Sequence, residues 1–491
     1  MPQWTHLHFA IWIRGGQAGA VEALQRDDAA IARAPRLAGG RRRRAAVPAR
    51  LHGPATLLLV AAVAVAAAGF ARGFRWLIGL GVATWAGSSD PLEAASSLPR
   101  WRLAAAVAVA VFAATAIGRR AMARYHQRLG MASVAAAARG EGPGPSLAGS
   151  LTRAAGTLAA SAGLTSIGRE SAIIETGGSL GASAARLTGR PVAPLASAGI
   201  AAAFSAAYHA PLAAVLYTRE HLGAGRAGGV GQPSSRSTAL PGATAYAAGG
   251  AVAGFAATRF LFGSGTIFPA GHHPLSGQTV ALSLVALIPA YAASRIFFLV
   301  REQLAARTAR AGDAPEAWLR WIGPLALAVA AGTAVATAPG TAGNGMEAIE
   351  QAATGATVAL ALTLMAGKLV ATTFAIGAGA PGGIVSPSMA VAAGAALTTF
   401  HAVAELGVTL PGSWWDGALV AMAVGLAASV RSPLVAIVMV AEMTGDLRLV
   451  PLSALIVGAC YLLDSGVARL QAVPLPLLAG NASRIVLDDD A

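Results

Sequence analysis

The amino-acid sequence predicts an all-α protein that crosses a membrane many times, and three observations support this fold class. Of the 491 residues, 55% are hydrophobic and only 12% are charged, whereas soluble globular domains carry about 25% charged residues. The mean hydropathy is +0.60. Apolar runs of about 20 residues, long enough to cross a bilayer as a helix, recur along the chain. A large soluble core is therefore disfavoured.

The basic charge is distributed as membrane topology requires. The net charge of +14 comes mostly from arginines that cluster between apolar segments. A basic stripe on a soluble domain would indicate nucleic-acid binding, but clusters beside apolar segments indicate cytoplasmic loops and contact with anionic lipid. We therefore expect membrane lipid, and no nucleic acid, as a partner.

Cysteine and metal-binding patterns add little to the prediction. Cys460 is the only cysteine, so an intrachain disulfide is excluded. His272-His273 is a weak metal signal, and no zinc-spaced cluster, phosphate loop or nucleophile with a paired base occurs in the sequence. We expect no metal, no cofactor and no enzyme activity.

The chain divides into a transmembrane domain with short tails. Residues 1–52 are predicted to be a cytoplasmic tail, with an amphipathic interfacial helix as the alternative. The arginine run 41–44 stands before the first long apolar segment, and by the positive-inside rule it places the N-terminus in the cytoplasm. The transmembrane domain is expected over 53–480, with halves at about 53–225 and 240–470, in the inner (plasma) membrane. We expect a short cytoplasmic C-terminal tail, 481–491, and no C-terminal soluble domain.

The predicted apolar segments differ in length. The first long ones are 54–87 and 102–117, and further apolar segments, several of them short or interrupted by glycine, lie near 240–262, 278–299, 320–338, 355–376, 384–404, 415–444 and 449–469. Those between about 147 and 222 are shorter and interrupted by glycine. Segments too short to cross a bilayer indicate half-helices that meet inside the protein, as in transporters.

One stretch in this short-segment region carries an ionisable pair. Gly168-Arg169-Glu170-Ser171-Ala172 places an arginine and a carboxylate between two apolar segments. Ionisable residues at membrane depth are expensive and usually functional. The glycines on both sides suit a helix start, where free N–H groups and the helix dipole attract anions. We expect Glu170 to lie in an anion pathway, and the alternative is a purely structural salt bridge with Arg169.

The sequence also contains an internal repeat. Pro211-Leu212 and Glu220 recur at the same spacing as Pro433-Leu434 and Glu442. Upstream, Gly168–Ala172 has a counterpart in Gly383-Ile384-Val385-Ser386-Pro387. Two matches in the same order indicate a duplicated transmembrane unit. Such repeats place a site near the membrane midplane.

With these motifs the chain resembles the CLC family of chloride channels and proton-coupled chloride exchangers, as a divergent bacterial-type member without CBS domains. Gly168-Arg169-Glu170 is similar to the family's GREGP signature, and the stretch from Gly379 to Pro387 is similar to its GxFxP region. The two Pro-Leu helices follow in the family's order, and Gly343-Asn344-Gly345 is similar to a stretch in one bacterial branch. The resemblance implies a CLC-type bundle of two inverted halves with broken and half-length helices, assembled as a homodimer with one pore in each subunit.

The resemblance implies an anion site formed by backbone amides at several helix starts. The residues it assigns to anion binding are Gly168, Arg169, Glu170, Gly383, Ile384, Val385 and Met131. The sequence departs from the family at informative positions: Ser171-Ala172 replace Gly-Pro, Met131 stands at the family's anion-binding serine, and Pro474-Leu475-Pro476 at its tyrosine.

The functional prediction is transport of a small anion, chloride first, as an anion/proton antiport gated by Glu170. A carboxylate can occupy an anion site, and protonation releases it. Glu175, Glu220 and His221 are candidate proton stops, and for Glu175 the alternative is a residue that faces a water-filled vestibule. His221 is a candidate because histidine titrates near neutral pH. For Glu220 and Glu442 a structural capping role is the alternative. The alternative functions are a passive anion channel, a fluoride exporter, and a degenerate homologue that does not transport.

Overall fold

The structure is a computed structural model. It describes residues 53–125, 129–222, 243–263, 265–269, 276–312, 316, 318–354, 357–408, 410, 413–430 and 432–472. Its regular elements are helices, joined at one point by a single backbone bridge between Gly168 and Gly383. The predicted tails, His272-His273 and Pro474-Leu475-Pro476 lie outside the described residues.

The first half of the chain combines long helices with short ones. In chain order they are α1 (Pro54–Ala86), α2 (Pro91–Ser97), α3 (Arg100–Tyr125), α4 (Gly130–Arg139), α5 (Leu147–Ala162), α6 (Glu170–Leu187), α7 (Val192–Tyr208) and α8 (Pro211–Leu216), which continues as a π-helical turn, Tyr217–Leu222. Proline begins α1, α2 and α8, where its missing N–H costs nothing and its fixed φ suits the first turn.

The second half repeats this mixture. Its helices are α9 (Ala243–Ala256), α10 (Gly277–Gly312), α11 (Leu319–Thr337), α12 (Met346–Thr354), α13 (Val358–Leu362), α14 (Lys368–Gly377), α15 (Val385–Glu405), α16 (Trp414–Val430), α17 (Pro433–Thr444) and α18 (Leu449–Ala472). The π-helical turn Thr363–Gly367 joins α13 to α14. The single segment predicted at 415–444 is wrong, because Pro433 begins a new helix after Val430.

Helix lengths agree with a multi-pass membrane protein. Among the described residues, six helical stretches are long and apolar enough to cross a membrane. Shorter apolar helices, among them α7, α16 and α17, lie beside them. The prediction of full-length and half-length helices in one bundle is therefore confirmed.

Small residues allow the central helices to approach closely. A Cβ atom on Gly199 of α7 would lie 2.1 Å from the carbonyl oxygen of Gly177 on α6, and one on Gly181 would lie 2.0 Å from that of Leu195. Within lipid, helices associate largely through such close van der Waals contact. The glycines and alanines of α6 and α7 thus fix the position of the helix that begins at Glu170.

The duplication is visible in equivalent helix starts. In each half a glycine, a cap residue and a helix follow one another: Gly168 and Arg169 precede α6, and Gly383 and Ile384 precede α15. The two glycines bond reciprocally, with N–H to carbonyl distances of 2.9 and 2.6 Å. The two halves therefore meet at their matching motifs.

A second reciprocal contact joins the Pro-Leu helices. The Glu442 carboxylate at the end of α17 accepts from the Leu212 and Ala213 amides at the start of α8, both at 2.8 Å. The Glu220 carboxylate, after α8, accepts from the hydroxyl of Ser432, the N-cap of α17. Each repeated glutamate binds the start of the other repeat's helix, which agrees with the capping alternative for this pair.

Candidate functional site

Glu170 lies where the two halves meet. It is the first residue of α6, and its side chain is 3% exposed. Its Oε2 atom lies 2.5 Å from where a Cβ on Gly168 would be, and 3.4 Å from a Cβ on Gly383. The carboxylate therefore lies over the paired glycines, and a side chain at Gly168 would displace it.

The Glu170 carboxylate is incompletely paired. Its Oε1 accepts from the amide of Asn344 at 3.5 Å, at the long limit of a hydrogen bond. Its Oε2 has no hydrogen-bond partner among the described residues. Burying an ionised carboxylate with so few hydrogen bonds costs free energy. Its surroundings must therefore supply positive charge, or the carboxylate must take up a proton.

A cavity of about 320 Å³ leads to Glu170. The formal charges of its lining cancel, because three arginines and three glutamates line it: Arg72, Arg75, Arg169, Glu170, Glu347 and Glu350. The imidazole of His209 also lines the cavity. Arg72, Glu347 and Glu350 are exposed, so the cavity opens to the surface. Because the lining is balanced while Glu170 is ionised, a proton on Glu170 leaves one excess positive charge, which favours an anion.

Arg169 and Arg75 approach the carboxylate without closing a salt bridge. Arg169 is the N-cap of α6, and among the described residues no ion pair joins it to Glu170. The Arg75 guanidinium, from the middle of α1, donates to the carbonyl of Ala207. The Nε atoms of both arginines have no partner among the described residues. The alternative of a purely structural Arg169–Glu170 salt bridge is therefore unsupported.

A buried cation holds the loop that carries Asn344. Lys368, the first residue of α14 and the only lysine in the sequence, is fully buried. Its ammonium donates to the carbonyls of Thr341 at 3.0 Å and Gly343 at 2.6 Å. Lys368 thus fixes the backbone just before Asn344, the middle residue of the Gly-Asn-Gly stretch identified in the sequence. The Asn344 side chain lies next to Glu170.

Glu175 lies away from the cavity and is fully engaged. Its carboxylate accepts from the Gly130 amide at the start of α4, at 2.9 Å, and from the Ser150 hydroxyl at 3.3 Å. Arg153 forms an ion pair with it at 3.3 Å. It therefore serves as a built-in anion at the start of α4, and the two roles predicted for it, a proton stop or a vestibule residue, gain no support.

The remaining predicted residues are scattered. Glu220 lies at the Ser432 contact, and the side chain of His221 lies outside the described residues. Met131, in α4, is partly buried against the main hydrophobic core and does not line the cavity. Ile384 and Val385 are the cap and first residue of α15, beside the glycine bridge. The structure thus brings together Gly168, Arg169, Glu170, Gly383, Ile384 and Val385, but not Met131, Glu175 or Glu220.

Several residues near Glu170 were missed in the sequence. Arg75 and Lys368 carried a usable signal, since each is an ionisable residue inside an apolar segment. Asn344 was noticed but given no role. Tyr208 and Ser386 carried no such signal, because hydroxyl residues are common in membrane helices.

Comparison with known proteins gives a consistent result. The family model described as voltage gated chloride channel matches residues 106–465. Two relatives from strains of Klebsiella pneumoniae, both called H(+)/Cl(-) exchange transporter ClcA, are 28% identical over 309 residues. The alignments cover 60% of this chain and 62% of each relative, so the chain spans less than two thirds of the relatives' length.

Solved structures show the same architecture. A slow cyanobacterial Cl−/H+ antiporter matches with a TM-score of 0.66 at 18% identity, covering 86% of this chain and 99% of that chain. A CLC-type fluoride/proton antiporter matches with a TM-score of 0.63 at 18% identity, covering 84% and 97%. A eukaryotic CLC transporter matches with a TM-score of 0.56 at 15% identity, covering 82% and 71%. At these identities the likeness is one of fold.

Proposed function

The chain belongs to the family that the voltage gated chloride channel model describes, the CLC family that its motifs resemble, and from this we propose that it exchanges a small anion for protons across a membrane, with Glu170 as the gate. Membership places the chain among channels and transporters rather than enzymes. The activity of the whole protein is our proposal.

The position of Glu170 carries the proposal. A buried carboxylate, one of its oxygens unpaired among the described residues, lies over the bridge between two helix starts and at the end of a cavity. The first amides of a helix attract anions. An ionised Glu170 competes with a transported anion for this region, whereas a protonated Glu170 does not.

The charge balance of the cavity supports coupling between anion and proton. With Glu170 ionised, the three lining arginines face three carboxylates. Protonation removes one negative charge, so that the anion enters a positively charged region. Anion entry and protonation of Glu170 are therefore thermodynamically linked, and such linkage is required for any coupled movement of the two ions.

Chloride is our first choice of anion, and fluoride is the second. The two Klebsiella pneumoniae relatives are named for chloride, whereas one similar fold belongs to a fluoride/proton antiporter. Met131 at the family's serine position is compatible with fluoride or another small anion. We further propose a homodimer in contact with lipid in the inner membrane, with both termini cytoplasmic. Glu220 and His221 remain candidates for the inner proton route.

Flux measurements on liposomes that contain the purified protein test the proposal. We expect efflux of chloride, or of fluoride, together with proton movement in the opposite direction. Anion flux without proton movement would replace the exchanger with a passive channel. Absence of flux of both anions from a folded protein would favour a degenerate homologue.

A further inference from the structure

A groove on the outer surface of the helix bundle lies away from Glu170. It has a volume of about 490 Å³, it is bounded by α1, α3 and the end of α5, and it shares no lining residue with the cavity at Glu170. Trp101 and Val109, which line it, are 74% and 69% exposed. The groove therefore opens to the surroundings of the bundle, which for a chain with membrane-spanning helices are lipid.

Small side chains create this groove. A Cβ on Gly163 would lie 2.1 Å from the Cβ of Ala110, and one on Gly81 would lie 2.8 Å from the Cβ of Ala162, so the three helices touch at these points. Three further lining residues are alanines: Ala105, Ala106 and Ala159. Side chains this short leave the space above the helix contacts open, and an unfilled groove loses van der Waals contacts along its walls. An apolar chain from another molecule would restore them.

The groove runs along α3 over the depth of one membrane leaflet. The α3 positions that line it recur at spacings of four and lie on one face of the helix: 101, 102, 105, 106, 109 and 110. From the first to the last of these the helix rises about 14 Å, close to half of a hydrocarbon core that is about 30 Å thick. Because α3 begins at Arg100, the groove extends from one membrane boundary to about the middle of the bilayer. This is the reach of one acyl chain.

Two side-chain hydrogen bonds fix the end of the groove at the membrane boundary. Arg102 Nη2 donates to the Trp85 carbonyl at 3.0 Å, which links α3 to α1. Trp85 Nε1 donates to the Ala162 carbonyl at 2.9 Å, which links α1 to α5. Tryptophan is enriched where membrane and water meet. The Arg102 guanidinium is therefore held at the level of the lipid headgroups.

The two arginines at this end have no carboxylate partner. Arg100 and Arg102 are exposed, and among the described residues no ion pair joins either of them to an acidic side chain. The carboxylates of the preceding loop and helix are engaged elsewhere, since Asp90 caps α2 and Glu93 accepts from the Ser88 hydroxyl. A guanidinium binds phosphate through charge-assisted, often bidentate hydrogen bonds. A phosphate at headgroup level complements this end of the groove.

We propose that the groove binds one anionic phospholipid, with an acyl chain lying along α3 and its phosphate bound by Arg102. An apolar channel and a positive charge meet here, so one molecule must supply both an acyl chain and an anion. Arg100 adds a second positive charge, which favours a headgroup of net negative charge over a zwitterionic one. This lipid site does not depend on the proposed transport function.

Phospholipid titration of the purified full-length protein in detergent tests the proposal. The probes are phosphatidylglycerol and phosphatidylcholine with the same acyl chains, and native mass spectrometry counts the lipids retained on each chain. Ala105→Phe fills the groove from an exposed lining position, and Arg102→Gln removes the phosphate contact. The matched controls are Ala62→Phe and Arg120→Gln, at an exposed alanine of α1 and an exposed arginine of α3 that do not line the groove.

Wild type should retain one phosphatidylglycerol per chain in preference to phosphatidylcholine. Each test variant should bind phosphatidylglycerol about tenfold more weakly, and each control should stay within about twofold of wild type. Added phosphatidylglycerol should raise the melting temperature of wild type and the controls more than that of the test variants. Without phospholipid the variants should melt close to wild type, because the replaced side chains are exposed. This comparison separates loss of the site from loss of the fold.

Equal binding of phosphatidylglycerol by wild type and both test variants would overturn the proposal, as would equal affinity of wild type for the two probes. An equal loss in the controls would also overturn it, by showing that lipid is held only through general contact with the apolar surface. If Ala105→Phe changed the number of chains in the assembly and left lipid binding unchanged, the groove would be a contact between copies of this chain, and the lipid site would be wrong.

Discussion

Individual buried charges set the chemistry of this chain, because each must be compensated in an interior of low dielectric constant. Glu170 has a single long hydrogen bond, from Asn344, and one unpaired oxygen among the described residues. Lys368, by contrast, binds two carbonyl groups directly. The difference between the two residues suits their proposed roles, since a gate must change its charge and partners whereas an anchor must not.

Replacing Lys368 with methionine should destabilise the protein. The two carbonyls of Thr341 and Gly343 would lose a charged donor, which costs roughly 3 kcal/mol or more. Because the loop also positions Asn344, anion flux should fall as well. Thermal unfolding and liposome flux measure both effects. The control is Arg102→Met, which removes an exposed cation that donates to the Trp85 carbonyl. It should change the free energy of unfolding by under about 1 kcal/mol. An equally small effect of Lys368→Met would contradict the anchoring role of Lys368.

Asp446 provides a pH-dependent contribution outside the membrane helices. Its carboxylate accepts from Arg448 Nε and Nη2, both at 2.9 Å, and this hydrogen bonding lowers the pKa of Asp446 below its usual value. The folded pKa is thus below the unfolded one, so the stabilisation is present above about pH 4 and is lost as pH falls through the folded pKa.

Asp446→Asn should therefore lower the melting temperature at neutral pH, and the difference from wild type should shrink as the pH is lowered below about 4. Arg448→Met removes the partner and should abolish the same pH dependence. Melting curves between about pH 3 and pH 7 measure this. A difference between wild type and Asp446→Asn that stays constant over the whole range would show that the contact does not depend on charge.

The sequence singled out Glu170 as an ionisable residue between apolar segments, but it could not predict most of the residues that surround Glu170. An arginine and a glutamate between apolar segments are conspicuous wherever they occur. Arg75, Asn344 and Tyr208, in contrast, come from helices and loops distant in sequence, and their approach to Glu170 depends on how the helices cross. The contact between Glu175 and Gly130 could not be predicted for the same reason, because the two residues are far apart along the chain.

At the scale of the helices, close packing of glycine and alanine positions the site. The α6–α7 contact depends on the absence of side chains at Gly177, Gly181 and Gly199. Any shift of α7 would move Tyr208 at its end, and any shift of α6 would move Glu170. Sequence reasoning identified these helices as short and glycine-interrupted, but a pattern of glycines does not say which pair of helices they bring together.

Gly199→Ala should destabilise the bundle because its Cβ would lie 2.1 Å from the Gly177 carbonyl oxygen. A backbone atom cannot rotate away, so we expect a cost of about 1 to 3 kcal/mol or more. The matched control is Gly73→Ala in α1, where no atom lies within 4 Å of the added Cβ; there helix propensity predicts neutrality or a gain of up to about 1 kcal/mol. Thermal unfolding measures the change in stability of each variant. Equal changes in stability for Gly199→Ala and Gly73→Ala would contradict the close contact at Gly199.

Across the whole molecule, the internal repeat predicted more than any single motif. It paired Gly168 with Gly383 and Glu220 with Glu442, and both pairs lie at contacts between the halves. What the repeat could not reveal is that each glutamate reaches the start of the opposite helix, because that depends on the relative orientation of the two halves. The apolar run 415–444 continues through the split between α16 and α17, and only Pro433, at the start of the second predicted Pro-Leu helix, marked the new helix.

The central claim is that Glu170 couples anion flux to proton flux, and the most direct measurement follows both fluxes in liposomes for wild type and Glu170→Gln. In wild type an imposed chloride gradient should drive protons in the opposite direction. The glutamine variant keeps the size of the side chain but cannot ionise, so it should still conduct chloride while proton movement disappears. Glu93→Gln, at an exposed glutamate bonded to Ser88, should behave as wild type. Proton coupling that persists in Glu170→Gln would contradict the assignment of Glu170 as the gate.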